Sequence, residues 1–423
     1  MTRPIRDTDV LVIGAGAVGV STAYALASRG QRVAVIDSGR IGEGSSYGNA
    51  GLIVPSHSVP IAAPGVISAG LRWLFDAESP FYVRPRLDPG IWIWLLRFAL
   101  ASREHRARLG THILARLLLA SRRLYDTWAA LHDMPDCSYD RQGLIYAFRT
   151  PTGLDNFQHE LDLLSGSDIQ VQMLDGTELR EVVPTFRIDM AGGALFPDDA
   201  HINPHLFVLG LATQAKIAGA DFHESVEALG FETTGDRILV VHTTAGPIRV
   251  NQVVLAAGAW SPALVRELRL KLPIQAGKGY SLTYRRPDRD LTLPLVLGEA
   301  RLAITPMGPL LRLAGTMELA GMDLTINRRR VRAIQRAANE HFRGVQDLEL
   351  VELWRGLRPC SPDGLPLIGY SHRWKNLIIA TGHTQIGLSL GPITGEIVAT
   401  IANGDDPPFD LTPLRPDRFG RFA

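Results

Sequence analysis

Between Val10 and Asp37 the chain reads VLVIGAGAVGVSTAYALASRGQRVAVID, and no other stretch restricts the fold as much. Val10 to Ile13 is a short apolar run of the kind that forms a strand buried on both faces. Gly14, Gly16 and Gly19 follow in G-x-G-x-x-G spacing. A helical pattern comes next, with Ala23, Leu26 and Ala27 on one face and Gly30 as its stop. Val33, Val35 and Ile36 make a second strand, closed by Asp37. Gly14 permits a sharp turn, Gly16 leaves the backbone open to a pyrophosphate, and Gly19 lets the helix lie close on the strand. The first helical N–H groups, around Ala17 and Val18, present the positive end of the helix dipole to phosphates. Asp37 falls where a carboxylate accepts hydrogen bonds from ribose hydroxyls, which argues against a 2′-phosphate and so against NADP. A lone glycine motif is weak evidence. Here strand, helix, Gly30 and Asp37 all fall in register, which favours a dinucleotide-binding βαβ unit over an ordinary glycine-rich turn.

A chain of 423 residues is too long for one simple core, so two domains are expected. Lysine and arginine number 44 against 43 aspartate and glutamate, so no global field draws in nucleic acid. The two cysteines, Cys137 and Cys360, form no disulfide framework and suit a reducing, cytoplasmic compartment. The polar start MTRPIRDTD leads straight into the first strand, so no secretory signal is expected. The longest apolar run, residues 91–100, is too short to span a membrane and carries Arg97. No metal site is expected.

After Asp37 comes a Gly- and Ser-rich loop with neither helical nor strand period, the usual texture of a segment that wraps a cofactor. Ser38, Ser45 and Ser46 offer hydroxyls to phosphate, and Asn49, Ala50, Gly51 and Leu52 are placed for a flat ring to lie close. From Ile61 the texture changes. Pro60, Pro64, Pro80, Pro85 and Pro89 break the first part, and two helical stretches follow, Ile91 to Arg103 and Leu114 to Leu131. Arginines are scattered through them. A membrane-surface patch is one reading; a solvated basic face over a packed core is favoured, because the apolar stripe is no wider than packing needs. Strand 193–196 and a helix starting at Asn203–Pro204 read as a return to the nucleotide domain. Val226 ends a short strand, and residues 252–261 run from a buried strand into Ala257, Gly258 and Trp260, where backbone can approach a nucleotide. Residues 376–396 repeat the strand–glycine–helix theme, with Gly382, His383, Ile386, Gly387 and Leu388 placed at the cofactor and a helix whose first turns hold Gly387, Gly391 and Gly395. A second such element fits one long FAD threaded through the domain better than an NAD. Residues 274–337 alternate as antiparallel strands do. The expected fold is α/β: a Rossmann-like FAD-binding domain from residues 1–60, 193–273 and 346–423, and a second α+β substrate domain on a mainly antiparallel sheet, from residues 61–192 and 274–345.

Four motifs then carry a resemblance: SSYGNAGLI, AAPGV (Ala62 to Val66), GLRPCSPDGLPLIG (Gly356 to Gly369) and ATGHTQIGLSLGP. With the N-terminal fingerprint, they resemble the FAD-dependent D-amino-acid oxidase and dehydrogenase superfamily, and AAPGV resembles its bacterial D-amino-acid dehydrogenase branch. The resemblance implies FAD and an amino-acid substrate whose carboxylate is held by arginine. The Pro-Arg pair that clamps the carboxylate in several amine oxidases is replaced here by Pro306–Met307. The clamp candidates are therefore Arg312 and Arg358, against the plainer roles of an ion pair with Glu318 and of bonding to nearby carbonyls. Cys360 does not match the cysteine that binds flavin in sarcosine-type relatives, so non-covalent FAD is expected. Tyr280 is a candidate contact to the carboxylate or amine, His383 a candidate stabiliser of negative charge on the reduced flavin, and His57 a candidate substrate contact. Electrons are expected to pass to a quinone or other acceptor. Variants are a dehydrogenase of D-proline or cis-4-hydroxy-D-proline, a glycine or sarcosine-type oxidase, and a non-catalytic electron-relay subunit. The expected location is cytoplasmic, with a peripheral contact to the inner face of the membrane left open.

Overall fold

Strand β1 (Thr8–Ile13) turns opposite faces to different cores: Val10 and Val12 pack with one, Leu11 and Ile13 with the other. That burial explains the unbroken apolar run. The computed structural model describes residues 7–66, 81–84, 86–186, 188–286 and 291–420; Pro80 and Pro85 lie outside them. β1 sits between β2 (Val33–Asp37) and the long β12 (Gly246–Leu255), with β9 (Asp221–Glu224) beyond β2 and β19 (Leu377–Thr381) beyond β12, all parallel. β18 (Leu367–Tyr370) adds an antiparallel edge, and β10 (Ala228–Thr234) with β11 (Arg237–Thr243) extends the other half of β12 as a meander.

A second sheet runs β17 (Leu350–Cys360), β13 (Gln275–Arg285), β16 (Leu310–Leu319), β15 (Leu302–Met307), β14 (Leu295–Leu297), β5 (Leu144–Phe148), β7 (Gly192–Phe196) and β6 (Gln172–Asp175), with β4 (Phe81–Val83) beside β16. It is mostly antiparallel, as expected. Two strands change hands relative to the sequence reading. β7 pairs with β5 and β6, and β17 pairs with β13, so both belong to the substrate sheet rather than the nucleotide domain. The short pair β3 (Leu52–Ile53) and β8 (Ala200–His201) stitches the glycine-rich loop to the start of the returning segment.

Helix α1 (Ala17–Ala27) follows the glycine turn, and α2 (Pro89–Ala101), α3 (Glu104–Trp128), α4 (Pro151–Leu164) and α5 (Gly176–Val182) belong to the long insertion. α6 (Pro204–Ile217), α7 (Ser261–Leu264), α8 (Arg328–His341) and α9 (Gly391–Ala402) complete the set. The cap at α6 is the one the sequence suggests: Asn203 Oδ1 accepts from Leu206 N at 3.2 Å, with Pro204 in the first turn. α9 lies so close to α1 that a Cβ on Gly395 would stand 2.5 Å from Ser21 O. α9 starts at Gly391, so Gly387 sits in the turn before it, not in the helix.

α2 departs from the favoured reading of its region. Ile91, Trp94 and Phe98 are buried, but Trp92, Ile93 and Leu96 on the other side are 60%, 53% and 62% exposed. The helix is apolar on both faces, and among the described residues one of them has no packing to account for it.

Candidate active site

A cavity of about 820 Å³ runs between the two sheets, bounded at one end by the β1–α1 turn and at the other by the face of the second sheet. At the first end Gly14 has φ +111°, and a Cβ on it would stand 2.6 Å from Ala256 O. A Cβ on Gly19 would stand 1.8 Å from Gly14 O, so only glycine lets α1 begin there. Gly16 caps α1 without a side chain, leaving the helix N-terminus to the cavity; Ser46 Oγ accepts from Ala17 N at 2.9 Å. Asp37 is held open at the turn, its carboxylate accepting from Ala15 N (2.7 Å) and Gly39 N (2.8 Å). Ser45 donates to Leu357 O and so ties this loop to β17.

Of the residues expected at the cofactor, Gly14, Gly16, Ala17, Val18, Asp37, Ser38, Ser45, Ser46, Asn49, Ala50, Leu52, Val226, Ala257, Gly258, Trp260, His383, Gly387 and Leu388 line this cavity. Gly19, Gly51, Gly382 and Ile386 do not. Gly19 serves packing, and Gly51 has φ +74° with a would-be Cβ 2.4 Å from Met307 Cε. Gly382 turns at φ +77° behind the wall, and Ile386 is buried in the core around α1. A trough that starts at a helix N-terminus with no side chain on its N-cap residue, passes a ribose-type carboxylate and continues along Ala50, Leu52 and Leu388 to a second sheet fits a dinucleotide with a flat ring at its far end. FAD has that shape.

The far floor is a row of in-register residues. Trp354, Ser281, Ala314, Ala303, Val296 and Tyr146 pair in turn across β17, β13, β16, β15, β14 and β5, so their side chains share one face. Ser281, Ala314 and Ala303 keep the middle of the row low. The Trp354 indole covers Gly48, where a Cβ would stand 2.1 Å from Cδ2.

Arg358 rises from β17 beside this row. Its guanidinium lies over Gly279 of β13, where a Cβ would come within 2.2 Å of Nη1, and Nη1 donates to Thr316 O at 2.9 Å. The group lines the cavity, burial pulls its pKa down, and among the described residues it has no carboxylate partner. An unpaired, desolvated cation is costly unless a ligand completes it.

Arg312 has a different position from the one expected. It is 5% exposed and does not line the cavity. Its Nε donates to Thr283 Oγ1 (3.1 Å), and Nη1 donates to Tyr47 O and Asn49 O (both 3.0 Å), so it props the glycine-rich loop from below. Nor does it pair with Glu318, whose partners are Lys278 (3.2 Å) and Arg330. Tyr280 also departs from expectation. It borders the cavity, but its hydroxyl donates to Glu318 Oε2 (3.4 Å) and accepts from Asn327 N (3.1 Å). Because Gly279 faces Arg358, strand alternation turns the Tyr280 side chain to the opposite face.

Both histidines line the cavity as neutral rings. Burial pulls His383 down to about 3, and its Nε2 pairs with Thr394 Oγ1 at 3.0 Å. It therefore supplies an oriented dipole, not the positive charge that would best stabilise an anion. Burial, with Arg301 nearby, lowers His57 to about 4, and its ring stands edge-on to Tyr146 at 5.7 Å. Beside it, Asp199 accepts from Ser56 N (3.0 Å) and Ser56 Oγ; burial pushes this carboxyl up to about 8, so it is mostly protonated at neutral pH. Cys360 lies behind the wall against Trp94, its thiol pushed up to about 12 by burial. A thiol so placed is poorly suited to bond a flavin.

The sequence reading missed Trp354, Thr316 and Thr384. The two threonines line the cavity at φ +61° and +53°, each with a buried hydroxyl that has no partner among the described residues. One signal was available: glycines at 277, 279 and 356 sit around Arg358 in a pattern that clears space above a sheet.

The family model described as FAD dependent oxidoreductase matches residues 9–401. A protein from Paramagnetospirillum magneticum named D-amino acid dehydrogenase is 34% identical over 424 residues, spanning 98% of this chain and 99% of its own. One of the same name from Granulibacter bethesdensis is 33% identical over 424 residues, spanning 97% and 99%. The crystal structure of a glycine oxidase from Geobacillus kaustophilus shares the fold, with a TM-score of 0.80 at 24% identity across 98% of this chain and 99% of that one. A match of this extent, on a trough shaped for that dinucleotide, settles the assignment: the chain belongs to the family of FAD-dependent oxidoreductases and is an enzyme that works with FAD.

Proposed function

We propose that this enzyme oxidises D-amino acids at Cα and passes the electrons to a quinone or another acceptor. Bound FAD supplies the hydride-accepting ring. Arg358 grips the α-carboxylate with its planar fork, which fixes where Cα lies above the sheet. The row of small residues at Ser281, Ala314 and Ala303 leaves room for the substrate, and Trp354 and Tyr146 bound it at either end. Among the described residues of the cavity wall, His57 and His383 are neutral and Glu160 is paired with Arg301, so the substrate amine arrives neutral or loses its proton to water. Hydride transfer needs no more than that. The observation that carries the reading is Arg358, a cavity-lining cation without a counter-charge among the described residues, and the names of the two relatives above supply the D-amino acid.

Anaerobic mixing with a panel of D- and L-amino acids, D-proline, cis-4-hydroxy-D-proline, glycine and sarcosine tests it. The flavin absorbance should bleach with D-isomers. Bleaching by the cyclic D-imino acids alone would narrow the substrate to them, and preference for glycine or sarcosine would move it to those achiral amines. Fast bleaching by L-isomers would overturn the D-assignment, and a flavin that stays oxidised throughout would leave an electron-relay subunit.

We further propose that α2 rests on a membrane surface, which brings the enzyme to a lipid-dissolved acceptor. Trp92, Ile93, Leu96 and Leu100 form its exposed apolar face, and the exposed Arg103 and Arg106 follow for anionic head groups. No described helix is long and apolar enough to cross the bilayer. The protein should sediment with anionic vesicles, and Trp92→Glu with Leu96→Glu should return it to the supernatant with its flavin retained. Wild-type protein that ignores the vesicles would refute this placement.

A further inference from the structure

We propose that Thr316 is a substrate-binding residue, its hydroxyl donating to the carboxylate that Arg358 holds. The inference rests on the reading of Arg358 given above. Across β13 and β16, Lys278 pairs with Glu318 and Tyr280 with Gly315, so Thr316 and Met317 together stand opposite Gly279. This is a β-bulge, and it turns the Thr316 carbonyl out of the ladder toward Arg358 Nη1. The bulge puts Thr316 at φ +61°, a left-handed conformation that glycine takes freely and a β-branched residue adopts only under strain. Its Oγ1 is buried in the cavity wall and has no partner among the described residues. A buried hydroxyl without a partner is a second cost.

Neither cost serves the fold. Holding Arg358 needs only the carbonyl, and glycine would deliver that carbonyl without strain or an orphaned hydroxyl. The threonine side chain therefore has to be explained by something that enters the cavity. A carboxylate accepts a guanidinium fork and still has lone pairs for another donor, and the Thr316 hydroxyl is anchored on the residue that already touches that guanidinium. Thr384 shares the strain and the unpartnered hydroxyl, but its backbone N donates to Pro359 O, which places it across β17 from Thr316.

The test uses propionate, a carboxylate that cannot be oxidised at an amine, titrated against the FAD-loaded enzyme and followed by the change in flavin absorbance. Thr316→Val removes the hydroxyl and keeps the branched side chain; propionate should bind at least about tenfold more weakly. Thr316→Gly should show the same weakening together with a Tm higher by about 2 °C, since it relieves the strain. Thr316→Ser should restore affinity to within about threefold of wild type. If the Val and Gly variants bind propionate as tightly as wild type while Arg358→Met does not, Thr316 has no such role and the Arg358 reading stands. If wild type and Arg358→Met bind propionate alike, both fall.

Discussion

Arg358→Met should lower kcat/KM for the preferred D-amino acid by about three orders of magnitude or more, while leaving the protein at least as stable as wild type. The two halves of that result come from the same physics. In the resting enzyme the guanidinium is buried, its pKa is lowered by desolvation, and its recorded bond is to the Thr316 carbonyl. Removing a desolvated charge that lacks a counter-ion relieves a penalty, and methionine fills the volume of the stem. With substrate bound, the same removal leaves a buried carboxylate unmatched, which costs about 4 kcal/mol or more. Arg358→Lys keeps the charge and loses the fork, so its effect should fall mainly on the apparent KM, by about 10- to 100-fold. Steady-state assays with an artificial acceptor, paired with thermal unfolding, measure both. Catalysis that survives both substitutions would remove Arg358 from the substrate site.

Gly19→Ala should yield protein without flavin, destabilised by about 3 kcal/mol or more. Its Cβ would sit 1.8 Å from Gly14 O, so α1 would have to lift off the turn on which we place the pyrophosphate. Gly30→Ala is the control. Gly30 also has positive φ, at +80°, but its Cβ would meet nothing within 4 Å, so it should cost about 1 kcal/mol and keep the flavin. Flavin content is read by acid precipitation. Wild type should release its flavin to the supernatant, as the position of Cys360 behind the wall implies; a yellow pellet would show a covalent link.

What the sequence made legible was local. The fingerprint from Val10 to Asp37 declares itself because strand, turn and helix are neighbours in the chain, and each glycine answers to a backbone contact within that unit. The late strand and turn before α9 were readable for the same reason. Arg358 stood out because its motif is contiguous. Sheet membership was not readable: β7 and β17 have the same alternation as any strand, and only their partners, far along the chain, place them in the second sheet. Arg312 and Tyr280 were misread through the same gap. Which face a strand residue occupies depends on register with its neighbours, and Gly279 against Arg358 fixes that register only in three dimensions. Thr316 was invisible because its conformation arises from a mismatch of one residue between β13 and β16.

The order in which a ribosome delivers this chain has a consequence. β1 lies between β2 and β12, β12 takes β19 as its other neighbour, and α9 closes over α1. Ser389 accepts from Val54 N and donates to Leu52 O, so the glycine-rich loop near the start is latched by a residue near the end. A nascent chain can shape the fingerprint early but cannot close the trough around it until residues 377–402 have left the exit tunnel. Capture of the flavin should therefore come only after β19 and α9 have emerged, and until then the apolar faces of β1 and α1 lack their final partners.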